Sequence, residues 1–99
     1  MSWFNSFQYK NQQSVWTDVS LVDGGKDQYI TNSSHTPLRL KENITIPPEG
    51  TFVIAEGVFF TSTHNITNNG TFVNESTFNN DASFINAGDF WNESDASFI

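Results

Sequence analysis

The chain of 99 residues has no cysteine, three prolines, one methionine and only four basic side chains. Without cysteine there is no disulfide framework and no thiolate metal site. Eleven acids against four bases give a formal net charge of −7. Nucleic acid is held by cations that displace phosphate counterions. An anionic membrane surface is held in the same way, so neither partner is expected. No apolar run approaches the ~20 residues that cross a bilayer as a helix. The start, MSWFNSFQYKNQQS, lacks a cationic stretch followed by an apolar one. It does not have the form of a secretory leader, and the expectation is a chain made and kept in a cytosol. A 3.6-residue apolar stripe is also missing, apart from Trp3 and Phe7, whose i, i+4 spacing suits a short helix. The two histidines, His35 and His64, have no His or Cys at metal-ligand spacing. No spacing of carboxylates singles out a catalytic pair. No catalytic residue, cofactor site or metal site is expected, and the chain is not expected to be an enzyme.

The charge that is present is unevenly placed. Lys10, Lys26, Arg39 and Lys41 all lie in the first 41 positions, while eight of the eleven acids follow from Glu42 onward. The two parts of the chain face different surroundings.

Aromatic residues are plentiful, with ten Phe, three Trp and two Tyr. Trp3, Phe4, Phe7 and Tyr9 crowd the first nine positions, and such large apolar groups are costly to leave in water. Residues 1–13 are therefore expected to form a docking arm, packed on its own domain or on a partner. From there to residue 63 the pattern is that of strands and turns. SVWTDVSLV (14–22) places Val15, Thr17, Val19 and Leu21 on one parity. DGGKD (23–27) is a turn, and QYIT follows as a short strand. NSSHTP (32–37) is a loop. LRLKENITI (38–46) alternates as one half-buried strand, and PPEG (47–50) is a turn. TFVI (51–54) and VFFT (58–61) complete a small all-β unit over 14–63, expected to be the attachment domain.

From His64 the chain divides into sixes: HNITNN, GTFVNE, STFNND, ASFINA, GDFWNE. Ile66, Phe72, Phe78, Phe84 and Phe90 fill the third place, and Asn68, Asn74, Asn80, Asn86 and Asn92 the fifth. After His64, the first place is always small. Alternate side chains of a strand face opposite ways, so small, aromatic and Asn places share one side. The expectation is that Phe fills an interior, the small residue gives room at a corner, and Asn tolerates left-handed backbone at a bend. Stacked Asn side chains can also form amide ladders. Regular short repeats point to solenoids. GTFVNES (70–76) recurs as GDFWNES (88–94), three hexads later, which suits a three-sided coil. Phe90 to Phe98 breaks the rhythm with eight residues, consistent with a two-residue loop at a corner near Ser94–Ala96.

The segment resembles the hexapeptide repeat of left-handed β-helices, in which an inward aliphatic is followed four places later by a small residue. Here Phe72 leads to Ser76, Phe78 to Ala82, Phe84 to Gly88 and Phe90 to Ser94, with Phe in the aliphatic place. Five hexads make fewer than two such turns, and stacking needs about three units. Residues 64–99 are therefore expected to be the start of a β-solenoid or triple-stranded β-helix shaft that continues past 99, with three copies closing the core. Closure removes sticky edges, and cyclic symmetry makes the interface self-consistent.

The layout as a whole resembles the particle-proximal ends of phage tail fibres and spikes, with ITIPPEGTFVIAEGVFF (44–60) leading into NNGTFVNEST. The resemblance implies a structural virion protein, a homotrimer made in the host cytoplasm, anchored to other virion proteins through Trp3, Phe4, Phe7 and Tyr9. Two alternatives stay open. One is a capsid decoration protein without a long shaft, and the other is a bacterial adhesin whose repeats bind glycans. Outward Trp91 bears on both, since an exposed indole can stack on a sugar or be covered by a neighbouring chain.

Overall fold

The computed structural model describes residues 2–19, 27–94 and 96–99. Leu21, Val22, Lys26 and the Asp-Gly-Gly-Lys turn lie outside the described residues. A 3₁₀ turn over Ser2–Asn5 precedes strand β1 (Phe7–Lys10), so the first residues do not form the short helix that Trp3 and Phe7 suggested. Strand β2 (Trp16–Val19) folds back on β1 as an antiparallel hairpin. From Gln28 onward the described residues form a three-sided β-solenoid of about four turns.

The first turn is β3 (Gln28–Ile30), β4 (Leu38–Leu40) and β5 (Ile44–Ile46). The second is β6 (Thr51–Ile54), β7 (Phe59–Ser62) and β8 (Ile66–Asn68). The third is β9 (Thr71–Asn74), β10 (Thr77–Asn80) and β11 (Phe84–Asn86). β12 (Asp89–Asn92) and β13 (Ser97–Phe98) begin a fourth. The strands stack into three parallel faces, ordered β3-β6-β9-β12, β4-β7-β10-β13 and β5-β8-β11. The hairpin extends the second face, with β1 antiparallel beside β4.

The register shows how the core is made. Tyr29, Phe52, Phe72 and Phe90 align on the first face. Leu38, Phe60, Phe78 and Phe98 align on the second. Ile44, Ile66 and Phe84 align on the third. Inward residues step by six from Phe60 to Phe90, and by eight across Ile44–Phe52, Phe52–Phe60 and Phe90–Phe98. Each eight is a hexad with two more residues at a corner. At the Phe52–Phe60 corner, Gly57 takes φ +90°, a left-handed conformation open to glycine.

Two expectations about architecture are corrected. Residues 38–46 are not one strand but two, β4 and β5, on different faces with a corner between them. The alternation of Leu38, Leu40, Ile44 and Ile46 persists through the corner because all four side chains point inward and are buried. Second, one chain supplies all three faces. The sheets run through position 64 without interruption, so the change from β unit to hexads is a change of sequence style within one coil. Closing the core does not require three copies, and no trimer is shown.

Candidate functional site

The interior is a column of rings. Phe52 and Phe72 have centroids 5.0 Å apart, Phe72 and Phe90 5.4 Å, Phe60 and Phe78 5.3 Å, and Phe78 and Phe98 5.1 Å. Neighbouring faces join the files: Phe72 meets Phe78 at 5.0 Å and Phe84 meets Phe90 at 5.3 Å. These spacings lie within the ~4.5–7 Å favoured by aromatic pairs. Ile66, Phe72 and Phe78 are fully buried, while Phe84 and Phe90 are partly buried. Burying one such side chain stabilises by about 1.5–3 kcal/mol, so the column dominates the fold.

At the N-terminal end the column is sealed. Trp3 and Phe4 are buried and lie over Tyr29, with Trp3 also edge-on to Phe52. Phe7 stacks on Tyr29 at 4.6 Å and on Phe52 at 5.2 Å. Burial pushes the Tyr29 hydroxyl well above its ordinary pKa. Tyr9 is partly buried and lies on His35 at 4.5 Å. The four early aromatics thus pack on their own chain.

The corners are held by polar side chains. Asn68 and Asn74 point inward and are fully buried. The Asn68 Oδ1 accepts from the Gly70 amide at 3.1 Å, and the Asn74 Oδ1 from the Ser76 amide at 3.1 Å. The Asn80 Oδ1 accepts from the Ala82 amide at 3.3 Å. Each is a side chain standing in for a backbone turn. The amide groups also connect coils, Asn68 Nδ2 donating to Asn86 Oδ1 at 2.7 Å and Asn74 Nδ2 to Asn92 Oδ1 at 2.8 Å. With further bonds from Asn68 Nδ2 to the Asp89 carbonyl at 2.9 Å and from Asn74 Nδ2 to the Ser97 carbonyl at 2.8 Å, each makes three hydrogen bonds, which offsets the cost of burying a polar group. The left-handed backbone expected of these asparagines does not occur. Among the described non-glycine residues only Ser14 and Asp27 have positive φ.

The small places answer to close approach. A Cβ on Gly70 would lie 2.3 Å from the carbonyl oxygens of Gly50 and Pro47, and one on Gly88 would lie 2.1 Å from that of Gly70. Backbone meets backbone along this corner, which admits no side chain.

Outside the coil, two surfaces differ in charge. The face formed by β2, β1 and β4 carries Lys10, Arg39 and Lys41, the described cations. Arg39 donates to Gln8 Oε1 from Nε and Nη2 at 3.1 and 2.9 Å and lies 3.9 Å over the Trp16 ring. Asp18 accepts from Gln8 Nε2 at 2.9 Å and pairs with Lys41 at 3.0 Å. The Gln8 hydrogen bond first, and then Lys41, hold its carboxyl below the usual carboxylate range. On another corner Glu56, Glu75 and Glu93 line a shallow groove with Ser94. No group of three or more His, Cys, Asp or Glu among the described residues could hold a metal ion. Neither this file nor the cationic face was singled out by spacing, because its members come from different coils or hairpin strands. Trp91 is 60 % exposed on the outer side of β12, in line with Val73 and Val53.

No family model, no curated protein and no solved structure matches the chain. The geometry alone therefore defines it as an all-β protein built around a β-solenoid.

Proposed function

We propose that this chain is a structural protein of a bacteriophage virion, the particle-proximal part of a fibre or spike. The observation that carries the reading is the coil itself. Its inward rings stack along one axis, and Trp3 and Phe4 cover the column at its N-terminal end. A continuous ring column with a covered end suits the base of a rod. The task is mechanical, with stiffness drawn from stacked rings and amide ladders between coils. Because Trp3, Phe4 and Phe7 are used by the fold, contact with other virion proteins falls to the outer face of β2, β1 and β4, around Trp16 and Arg39. Three copies associate side by side in this reading, with Trp91 covered by a neighbouring chain.

Mass spectrometry of purified particles of the encoding phage tests the assignment. The chain is expected in tail fractions, and its absence from particles rejects the reading. Recovery in capsid fractions alone selects the decoration protein. Lys10→Glu with Arg39→Glu is expected to abolish incorporation while the circular dichroism of the isolated protein stays unchanged. Sedimentation is expected to give three times the chain mass of 11.2 kDa; a monomer throughout rejects the trimer. The exposed Trp91 also favours a second reading as a glycan-binding adhesin, which requires binding on a glycan panel that Trp91→Ala removes.

A further inference from the structure

Between the tip of the β1–β2 hairpin and the loop before β4 the surface is hollowed. The hollow has a volume of about 600 Å³, inside the ~300–1,000 Å³ span of small-molecule sites. Residues 9–13 form one wall, and Ser34, Thr36 and Pro37 the other. Each wall is held by its own hydrogen bonds. Asn11 Oδ1 accepts from the Gln13 and Val15 amides at 2.9 and 3.0 Å, and Asn11 Nδ2 donates to Thr17 Oγ1 at 3.0 Å. Asn32 Oδ1 accepts from the Ser34 amide and hydroxyl at 2.9 and 2.8 Å. Thr36 Oγ1 accepts from the Phe59 amide at 2.8 Å. The Lys10 amide donates to the Pro37 carbonyl at 3.1 Å and ties wall to wall. The hollow is therefore shaped before anything enters it, which lowers the ordering cost of binding.

The groups that the walls leave unused decide the ligand. The carboxamides of Gln12 and Gln13 make no hydrogen bond among the described residues. Each offers two N–H donors and a carbonyl acceptor, the complement of adjacent hydroxyl groups. Tyr9 and Pro37 add flat apolar surface, which suits the C–H face of a sugar ring. Among the described residues that line the hollow, Lys10 carries the only charge, in a chain with eleven acids and four bases. Its Nζ stands 5.7 Å from the centroid of the Trp16 ring. We propose that the hollow binds a sugar acid, a pyranose ring bearing a carboxylate. The ring lies against Tyr9 and Pro37, its hydroxyls pair with Gln12 and Gln13, and its carboxylate accepts from Lys10 Nζ in a charge-assisted bond. An extended peptide pairs with free backbone, and here the Lys10 and Asn11 amides are already taken by the Pro37 and Val15 carbonyls. A small inorganic anion leaves both glutamines unused. Neither the virion assignment nor Trp91, which stands on another face of the coil, enters into this inference.

The test is NMR titration of the nitrogen-15-labelled protein with glucuronate and galacturonate, and with glucose and galactose, which keep the ring and lack the carboxylate. Saturable shifts are expected in the side-chain amides of Gln12 and Gln13 and in the backbone amides that line the hollow. At least one acid is expected to bind about fivefold more tightly than its neutral parent, as one exposed charge pair allows. Lys10→Gln is expected to bring that acid down to the level of its parent and to leave the parent unchanged. Gln12→Ala with Gln13→Ala, at exposed positions and with an unchanged circular dichroism spectrum, is expected to weaken the acid about tenfold, the loss of two neutral hydrogen bonds. Trp91→Ala is expected to bind as the parent protein does. No shift at these residues with either acid at its solubility limit overturns the proposal. Equal binding of acids and neutral sugars overturns it too, as does undiminished binding by the glutamine variant. The same shifts with acetate alone overturn it in favour of a simple anion site.

Discussion

At its N-terminal end the coil lays Trp3 and Phe4 across its own core; at its C-terminal end Phe84, Phe90 and Phe98 are left partly uncovered. The same residue types at the same register positions therefore differ in weight. Phe72 is enclosed by Phe52 below, Phe90 above and Phe78 and Phe84 beside it. Phe90 has rings below and beside it but none stacked above. The comparison teaches that a repeat unit has no fixed energy of its own: each coil is stabilised by the coil that follows.

Substitutions at equivalent places sharpen or break this contrast. The largest difference is expected between Phe72→Ala and Phe90→Ala. Removing the enclosed ring should cost about 3–5 kcal/mol, and removing the end ring less than half as much, measured by urea unfolding. Equal losses would mean that the two ends are not distinct. Gly70→Ala is expected to cost at least about 1–3 kcal/mol, as overpacking does, because its Cβ would press on two backbone carbonyls. Gly88→Ala should cost less, since β12 can shift toward the open end; thermal melts separate the two. Asn74→Leu leaves the Ser76 amide, the Ser97 carbonyl and Asn92 Oδ1 without their partner. It should cost about 1–3 kcal/mol, whereas Asn92→Leu, which removes one of the two acceptors of the buried Asn74 amide and leaves the other, should cost less in the same melts.

The smallest effect is on pH. Asp18 has a lowered carboxyl pKa in the folded chain, so its contribution is complete above the ordinary carboxylate value. It is lost as pH falls through the lowered one. The difference in urea midpoint between the parent and Asp18→Asn should be constant at neutral pH and shrink below about pH 4. The side chain is exposed, so the difference should be slight; a change centred near neutrality would contradict the assignment.

Much of this coil is visible in the chain itself, and the reasons are specific. Phe72, Phe78, Phe84 and Phe90 fall six apart because their corners are equally tight. The 18-residue recurrence of GTFVNES as GDFWNES matches the pairing of Thr71 with Asp89 and Val73 with Trp91. Upstream the rule is the same but masked. Pro47–Gly50 and Ala55–Val58 lengthen two corners, and Tyr29, Leu38 and Ile44 stand where Phe stands later. At Lys41–Asn43 the corner keeps the parity of its neighbours, so alternation alone cannot reveal a change of face. The early aromatics were a different difficulty. Apolar area says that Trp3 and Phe4 must be covered, and does not say by which chain. The role of asparagine was legible as a corner residue, but it works through its side-chain amide rather than through an unusual backbone. The cationic face around Trp16 could not be found by spacing, since β1, β2 and β4 meet only through the hairpin.

The eight-residue steps have a bearing on how such a chain tolerates insertions and deletions. Two extra residues between Phe52 and Phe60 leave both rings inward, because the addition is taken up where the chain changes face. Losing a single residue inside β9 or β10 would instead reverse the facing of the side chains between that point and the next corner, wetting a benzyl group and burying a threonine or acid in its place. Length variation in this coil is therefore confined to the bends, and the strands between them must keep their count.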